Sequence, residues 1–138
     1  MRYLAIDYGA RRTGLAVSDA DEKIASPLTI LDGQQNLIER IAAIAEEQNA
    51  GAVVVGLPLN MDGSRGFQSK RVLNFAGRLK KRLHVPLYLQ DERLSSFDAD
   101  EKLSAAQFSK KEKQRRRDAV AAARILQDFL EQKREKSD

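Results

Sequence analysis

The chain has no cysteine and a single histidine among its 138 residues. Disulfide bridges and thiolate metal sites are thereby excluded. The one histidine, His84, has no ligand partner at a metal spacing and reads as a structural or exposed residue. Long apolar runs are also missing, and none approaches the roughly 20 residues a membrane-spanning helix needs. No basic-then-apolar leader is present, since the N-terminus passes directly into a strand pattern. These absences lead us to expect a cytoplasmic protein with no membrane partner. Nor does charge of one sign dominate. Lys and Arg total 24 against 20 Asp and Glu, a net charge of +4 with a pI near 9.5. That modest excess favours an anionic partner over a neutral one. The length suits one domain, residues 1–138, with a real core.

What is present begins with the stretch from Tyr3 to Ser18. Tyr3-Leu4-Ala5-Ile6 is apolar without polar alternation, as in a central strand covered on both faces. Asp7 stands where that run stops, and a carboxylate at the edge of a core must be hydrated, paired or metal-bound. Gly9 permits a sharp turn, Arg11 and Arg12 occupy it, and Thr13 to Val17 returns as a second strand. Gly14 leaves room for another backbone or a ligand. Taken alone, the stretch is equally a plain hairpin with a solvated basic tip.

Farther along, Ile24 to Leu31 reads as a third strand, with Pro27 marking an irregularity or an edge. Residues 34 to 48 switch to helical spacing through Leu37, Ile38, Ile41, Ile44 and Ala45. Ala52-Val53-Val54-Val55 is a buried strand, and the crossover that reaches it makes it parallel to its neighbour. The loop from Gly56 to Ser64 leaves its C-terminal end, where open α/β sheets place ligands. Phe67 to Arg82 is a second amphipathic helix with a basic remainder, either a solvated face or a nucleic-acid face. Val85 to Gln90 is a fifth strand, ending in Asp91-Glu92-Arg93. Ser95 and Asp98 stand in capping-box spacing at the start of a further helix. Ser109 to Arg117 is the densest charge on the chain. It precedes a last helix in which Asp118 shares a stripe with Ala122, Ile125 and Phe129. An acid in that position is a helix cap, a metal ligand or one member of a pair. After Leu130 the polar tail, about 131–138, is expected to fray.

The predicted order is meander, helix, strand, helix, strand, helix, helix. It describes an α/β ribonuclease H-like fold: a five-stranded mixed sheet, with an antiparallel meander of three strands plus two parallel strands, flanked by helices. In such a sheet the first strand lies between the second and the fourth, and acids converge on one or two divalent ions. Oxygen ligands without His or Cys select Mg²⁺ or Mn²⁺. Two such ions can clamp the attacking water and leaving oxygen of a phosphodiester.

Four pieces carry a resemblance to a known family. They are Asp7-Tyr8-Gly9-Ala10-Arg11-Arg12-Thr13-Gly14, Val55-Gly56-Leu57-Pro58-Leu59-Asn60-Met61-Asp62-Gly63, Asp91-Glu92-Arg93-Leu94-Ser95-Ser96, and Asp118 to Leu126. In that order, over nearly the whole chain, they resemble the YqgF, or RuvX-type, family of pre-16S rRNA nucleases. The resemblance implies a metal-dependent endonuclease acting in 5′-end maturation of 16S ribosomal RNA. It implies Asp7, Glu92 and Asp118 as catalytic acids and metal ligands, with Asp91 a further candidate. Arg93 would meet phosphate or orient an acid. A basic rim is expected from Arg11, Arg12, Arg93 and the Lys110 to Arg117 run, that is Lys110, Lys111, Lys113, Arg115, Arg116 and Arg117, and Asn60 joins the nucleic-acid-binding set. The expected partner is precursor ribosomal RNA or a pre-ribosomal particle, met by a monomer or weak homodimer.

Two other readings compete, and a third fails on length. One is a resolvase of four-way DNA (Holliday) junctions, whose paired cuts require a dimer. The other is a nucleic-acid-binding module without catalysis, against which the presence of all three acids argues. An actin-like ATPase shares the Asp-x-Gly turn but needs two such domains, which this length cannot supply.

Overall fold

The computed structural model of the chain describes residues 1–59, 63–92 and 110–137, and in the last helix the side chains of 117–136. The elements run β1 (Arg2–Asp7), β2 (Arg12–Ser18), β3 (Ala25–Asp32), α1 (Leu37–Glu47), β4 (Ala50–Leu57), α2 (Phe67–Arg82), β5 (Leu87–Asp91) and α3 (Lys110–Ser137). The five strands form one sheet in the order β3-β2-β1-β4-β5. β1 pairs antiparallel with β2 and parallel with β4. The first strand is therefore central, as its uniformly apolar run requires.

Alternation along β1 divides the interior in two. Leu4 and Ile6 join Leu15, Val53 and Val55 beneath α1 and α2, with Ile41, Val72, Phe75 and Leu79 filling the layer. Tyr3 and Ala5 join Ala16, Ala52 and Val54 on the opposite face, beneath Ala122, Ile125, Leu126 and Leu130 of α3. The second face is floored by small residues, so α3 lies close to the sheet. At Gly14 an added Cβ would collide with the backbone carbonyl oxygen of Asp118. The room expected at Gly14 is thus taken by a helix backbone.

Pro27 sits on β3, which is both an edge strand and irregular: the pairing with β2 shifts register between Leu15 and Ala16, and Ala16 pairs with Pro27. Two expectations need correction. The last helix begins at Lys110, well before Asp118, because Lys, Arg, Gln and Glu are good helix formers even without an apolar stripe. The tail from 131, expected to fray, continues that helix to Ser137. Lys133 holds it down, donating to Glu22 Oε1 at 2.6 Å and lying 5.6 Å from the centre of the Tyr3 ring. The predicted capping box at Ser95 and Asp98 lies outside the described residues. Among the described residues, no helix is long and apolar enough to cross a membrane.

Candidate active site

Asp7 is the last residue of β1 and pairs with Gly14 of β2. On its other side β4 runs parallel, with Ile6 beside Val55 and Gly56 next along. Two glycines therefore flank the acid on the face that α3 covers. At Gly56 an added Cβ would lie 2.5 Å from Ile125 Cδ1 and 2.7 Å from Glu92 Oε2. The space left by that missing side chain holds the Glu92 carboxylate. Glu92 follows β5 directly, and its N–H donates to the Leu57 carbonyl at 3.2 Å, fixing it to the end of β4.

Asp118 reaches the same end of the sheet from α3. Its side chain accepts a hydrogen bond from Arg12 Nε to Oδ2 at 2.8 Å. The two side chains are 20% and 29% exposed, so the ion pair is shielded though not sealed. As the ninth residue of α3, Asp118 cannot be an N-terminal cap, which removes one of its readings.

Electrostatics tie the three acids together. Burial, and then the charge of Asp118, push the Asp7 carboxyl up to about 7 from an ordinary 3.8. Burial, then Asp7, then Asp91, push Glu92 up to about 8 from 4.5. Desolvation penalises a bare carboxylate, and each neighbouring negative charge adds to that penalty. The acids thus form an electrostatically linked cluster. It does not amount to a closed cage: among the described residues, no group of three or more His, Cys, Asp or Glu side chains is gathered tightly enough to hold a metal ion.

The turn bearing the arginines is clamped from outside the sheet. At Gly9 an added Cβ would strike the Arg12 carbonyl oxygen, so the turn closes tightly. Gln34 Nε2 donates to the carbonyls of Gly9 at 2.9 Å and Ala10 at 3.0 Å. Tyr8 donates its hydroxyl to Gln34 Oε1 at 2.9 Å and stacks on Phe75, with ring centres 4.1 Å apart. The Gly33 N–H donates to the Arg11 carbonyl at 2.8 Å. Sequence reasoning missed this clamp. Nothing local marks Gln34, although Gly56 could have been noticed as a glycine ending a β-branched run.

Of the predicted phosphate-binding residues, Arg11 is exposed at the turn, Arg12 is engaged by Asp118, and Arg117 is half-buried next to Asp118 in sequence. Asp91 is exposed at the end of β5. Asn60, Arg93 and the side chains of Lys110, Lys111, Lys113, Arg115 and Arg116 lie outside the described residues.

The central first strand, antiparallel to the second and parallel to the fourth, with the fifth alongside, defines a ribonuclease H-like fold. The backbone matches Thermus thermophilus RuvC with a TM-score of 0.56, over 98% of this chain and 97% of that one, at 15% identity. It matches the fowlpox virus Holliday junction resolvase with a TM-score of 0.55, over 96% and 99%, also at 15% identity. At such identity the likeness speaks to the fold alone. The chain belongs to the RuvX family, described as Holliday junction resolvase, whose profile matches residues 1–132. Relatives named "Putative pre-16S rRNA nuclease" include one from Anaeromyxobacter sp. (strain Fw109-5), 44% identical over 95% of this chain and 97% of its own length. Another, from Nitratidesulfovibrio vulgaris, is 42% identical over 94% and 93%.

Proposed function

We propose that this protein is a cytoplasmic, divalent-metal-dependent endonuclease that hydrolyses phosphodiester bonds in the 5′-end maturation of pre-16S ribosomal RNA. The observation that carries this reading is the pair of half-buried carboxyls, Asp7 at the end of β1 and Glu92 just past β5, whose affinity for protons is raised. Two desolvated acids that repel each other form a site awaiting a cation, and an all-oxygen donor set suits Mg²⁺ or Mn²⁺. Asp7 and Glu92 would hold the ion, with Asp118 beside Asp7 and Asp91 as an outer helper. A bound ion of this kind supplies charge stabilisation at the phosphate and an activated water.

The chain's own residues do the positioning. Arg12 holds Asp118 in place and sets a cation beside the acids, where a phosphate would otherwise be repelled. Arg11, Arg93, Asn60 and the Lys110 to Arg117 run would track the flanking backbone phosphates. The Gln34 clamp keeps the arginine turn in register with Asp7.

The test is cleavage of an RNA carrying the 5′ extension of pre-16S rRNA, assayed with Mg²⁺ or Mn²⁺ beside a four-way DNA junction. Cleavage of the RNA is expected. Asp7→Asn and Glu92→Gln should each lower the rate about a thousandfold or more, given the several kcal/mol a metal-held charge contributes. Cutting of the junction alone would favour the resolvase reading. Undiminished cutting by both variants would remove these acids from the chemistry.

A further inference from the structure

Phe67, the first residue of α2, is 79% exposed, the most exposed of the large hydrophobic side chains among the described residues. A phenyl ring left in water at a helix start contributes nothing to the core. The charges around it are equally out of place. The positive end of a helix dipole favours acids, yet the first turn of α2 holds none. Exposed Arg65 precedes it, and exposed Lys70 and half-buried Arg71 follow within the next turn. The basic residues at the other end of α2, Lys80, Lys81 and Arg82, need no such explanation. They suit the negative end of the helix, and Arg82 pairs with Glu39 at 2.8 Å.

Phe67, Lys70 and Arg71 stand at i, i+3 and i+4, so they share one face of α2. The start of α2 lies at the end of the sheet where the acids stand, with α2 packed on the sheet face opposite α3. Ser69 donates its hydroxyl to the Pro58 carbonyl, joining the first turns of α2 to the residue that follows β4. The Leu57 carbonyl, one residue back, accepts the N–H of Glu92. An exposed ring with cations on the same helix face is complementary to a flat base joined to phosphates, the ligand a nuclease handles.

We infer that Phe67 is a stacking platform for an unpaired base of the substrate strand, with Lys70 and Arg71 holding its adjoining phosphates. The enzyme thereby selects a substrate with a single-stranded segment leading away from the bond it cuts, past the end of the sheet. The inference rests on the nuclease reading above and adds the substrate's secondary structure to it. Stacking is blind to base identity, so the preference concerns strandedness and not sequence.

The experiment measures binding by anisotropy in EDTA, using a short single-stranded RNA and a blunt duplex of the same sequence. A 2-aminopurine in the single strand reports stacking directly. Wild type and Phe67→Tyr should quench its fluorescence. Phe67→Ala, a change at a solvent-exposed ring, should abolish quenching and weaken single-strand binding about tenfold. Duplex binding should hold steady. Lys70→Gln should weaken binding to both RNAs and flatten its dependence on salt. Unchanged quenching and affinity in Phe67→Ala, with wild type still binding and cleaving, would overturn this inference alone. Equal losses for single strand and duplex would also overturn it. Failure of wild type to bind either RNA would overturn the inference and the nuclease reading together.

Discussion

Asp118 has two neighbours of opposite effect. Arg12 donates to it at 2.8 Å, while Asp7 feels its negative charge. With Arg12 attached, Asp118→Asn both relieves Asp7 and deprives a guanidinium of its partner. A half-shielded pair of this kind contributes up to about 1 kcal/mol, so the two effects nearly cancel in stability. They do not cancel in the titration of Asp7. Burial is the larger cause of its raised value and the Asp118 charge the smaller. In Asp118→Asn the Asp7 carboxyl should therefore titrate below about 7 while staying above the ordinary carboxylate range. Carbon-13 NMR of the carboxyl through a pH series measures this. An unmoved Asp7 would show that the two acids do not share a site.

At the scale of elements, the position of Asp118 follows from how closely α3 lies on the sheet, and Gly14 sets that approach. A methyl there would meet the backbone of Asp118 and Ala119, which no rotamer change can clear. Gly14→Ala should destabilise by about 1–3 kcal/mol as an overpacking substitution and lift Asp118 away from Asp7, lowering activity as well. Gly77, in the exposed middle of α2, has nothing within 4 Å of an added Cβ. Gly77→Ala should stabilise by up to about 1 kcal/mol and leave activity alone. Urea melts of both variants test the pair, and equal effects would mean that α3 has slack. Much of this was legible in the residues: a strand apolar on both faces, a β-branched parallel strand, acids where strands stop, and a glycine with room beside it. The start of α3 was not, because residues 110–117 carry charge in place of an apolar period by which to phase a helix. The tail was misjudged for the same reason, its anchor being Glu22, distant in sequence. The Gln34 clamp was invisible because it exists only once β3 has brought residue 34 against the turn at Gly9.

At the scale of the whole molecule, the two half-buried acids make stability depend on pH in an unusual direction. Most carboxylates in folded proteins titrate lower than in the unfolded chain, so acid destabilises. Asp19 and Glu22 behave that way, held down by backbone hydrogen bonds from Ile24 and Lys23 and by Lys133 respectively. Their contribution is present above their unfolded values and fades only as pH falls through still lower ones. Asp7 and Glu92 act oppositely. Their folded values, about 7 and about 8, lie above the ordinary 3.8 and 4.5. Between those limits the metal-free folded protein keeps protons that the unfolded chain has released. Stability is therefore fullest below about pH 4 for these two groups and declines as pH rises toward 8, by on the order of a few kcal/mol. A divalent ion competes with those protons and binds the folded state, so its effect should grow as they leave. Melting temperature in EDTA should fall from pH 5 to pH 8.5, and Asp7→Asn or Glu92→Gln should flatten the fall. Added Mg²⁺ or Mn²⁺ should raise the melting temperature more at pH 8 than at pH 5, and in either variant this gain should shrink. Such a result would link the protons of Asp7 and Glu92 to one metal site without any cleavage assay. A melting temperature that holds or climbs across that range in EDTA, or a metal effect indifferent to pH, would separate these acids from metal binding.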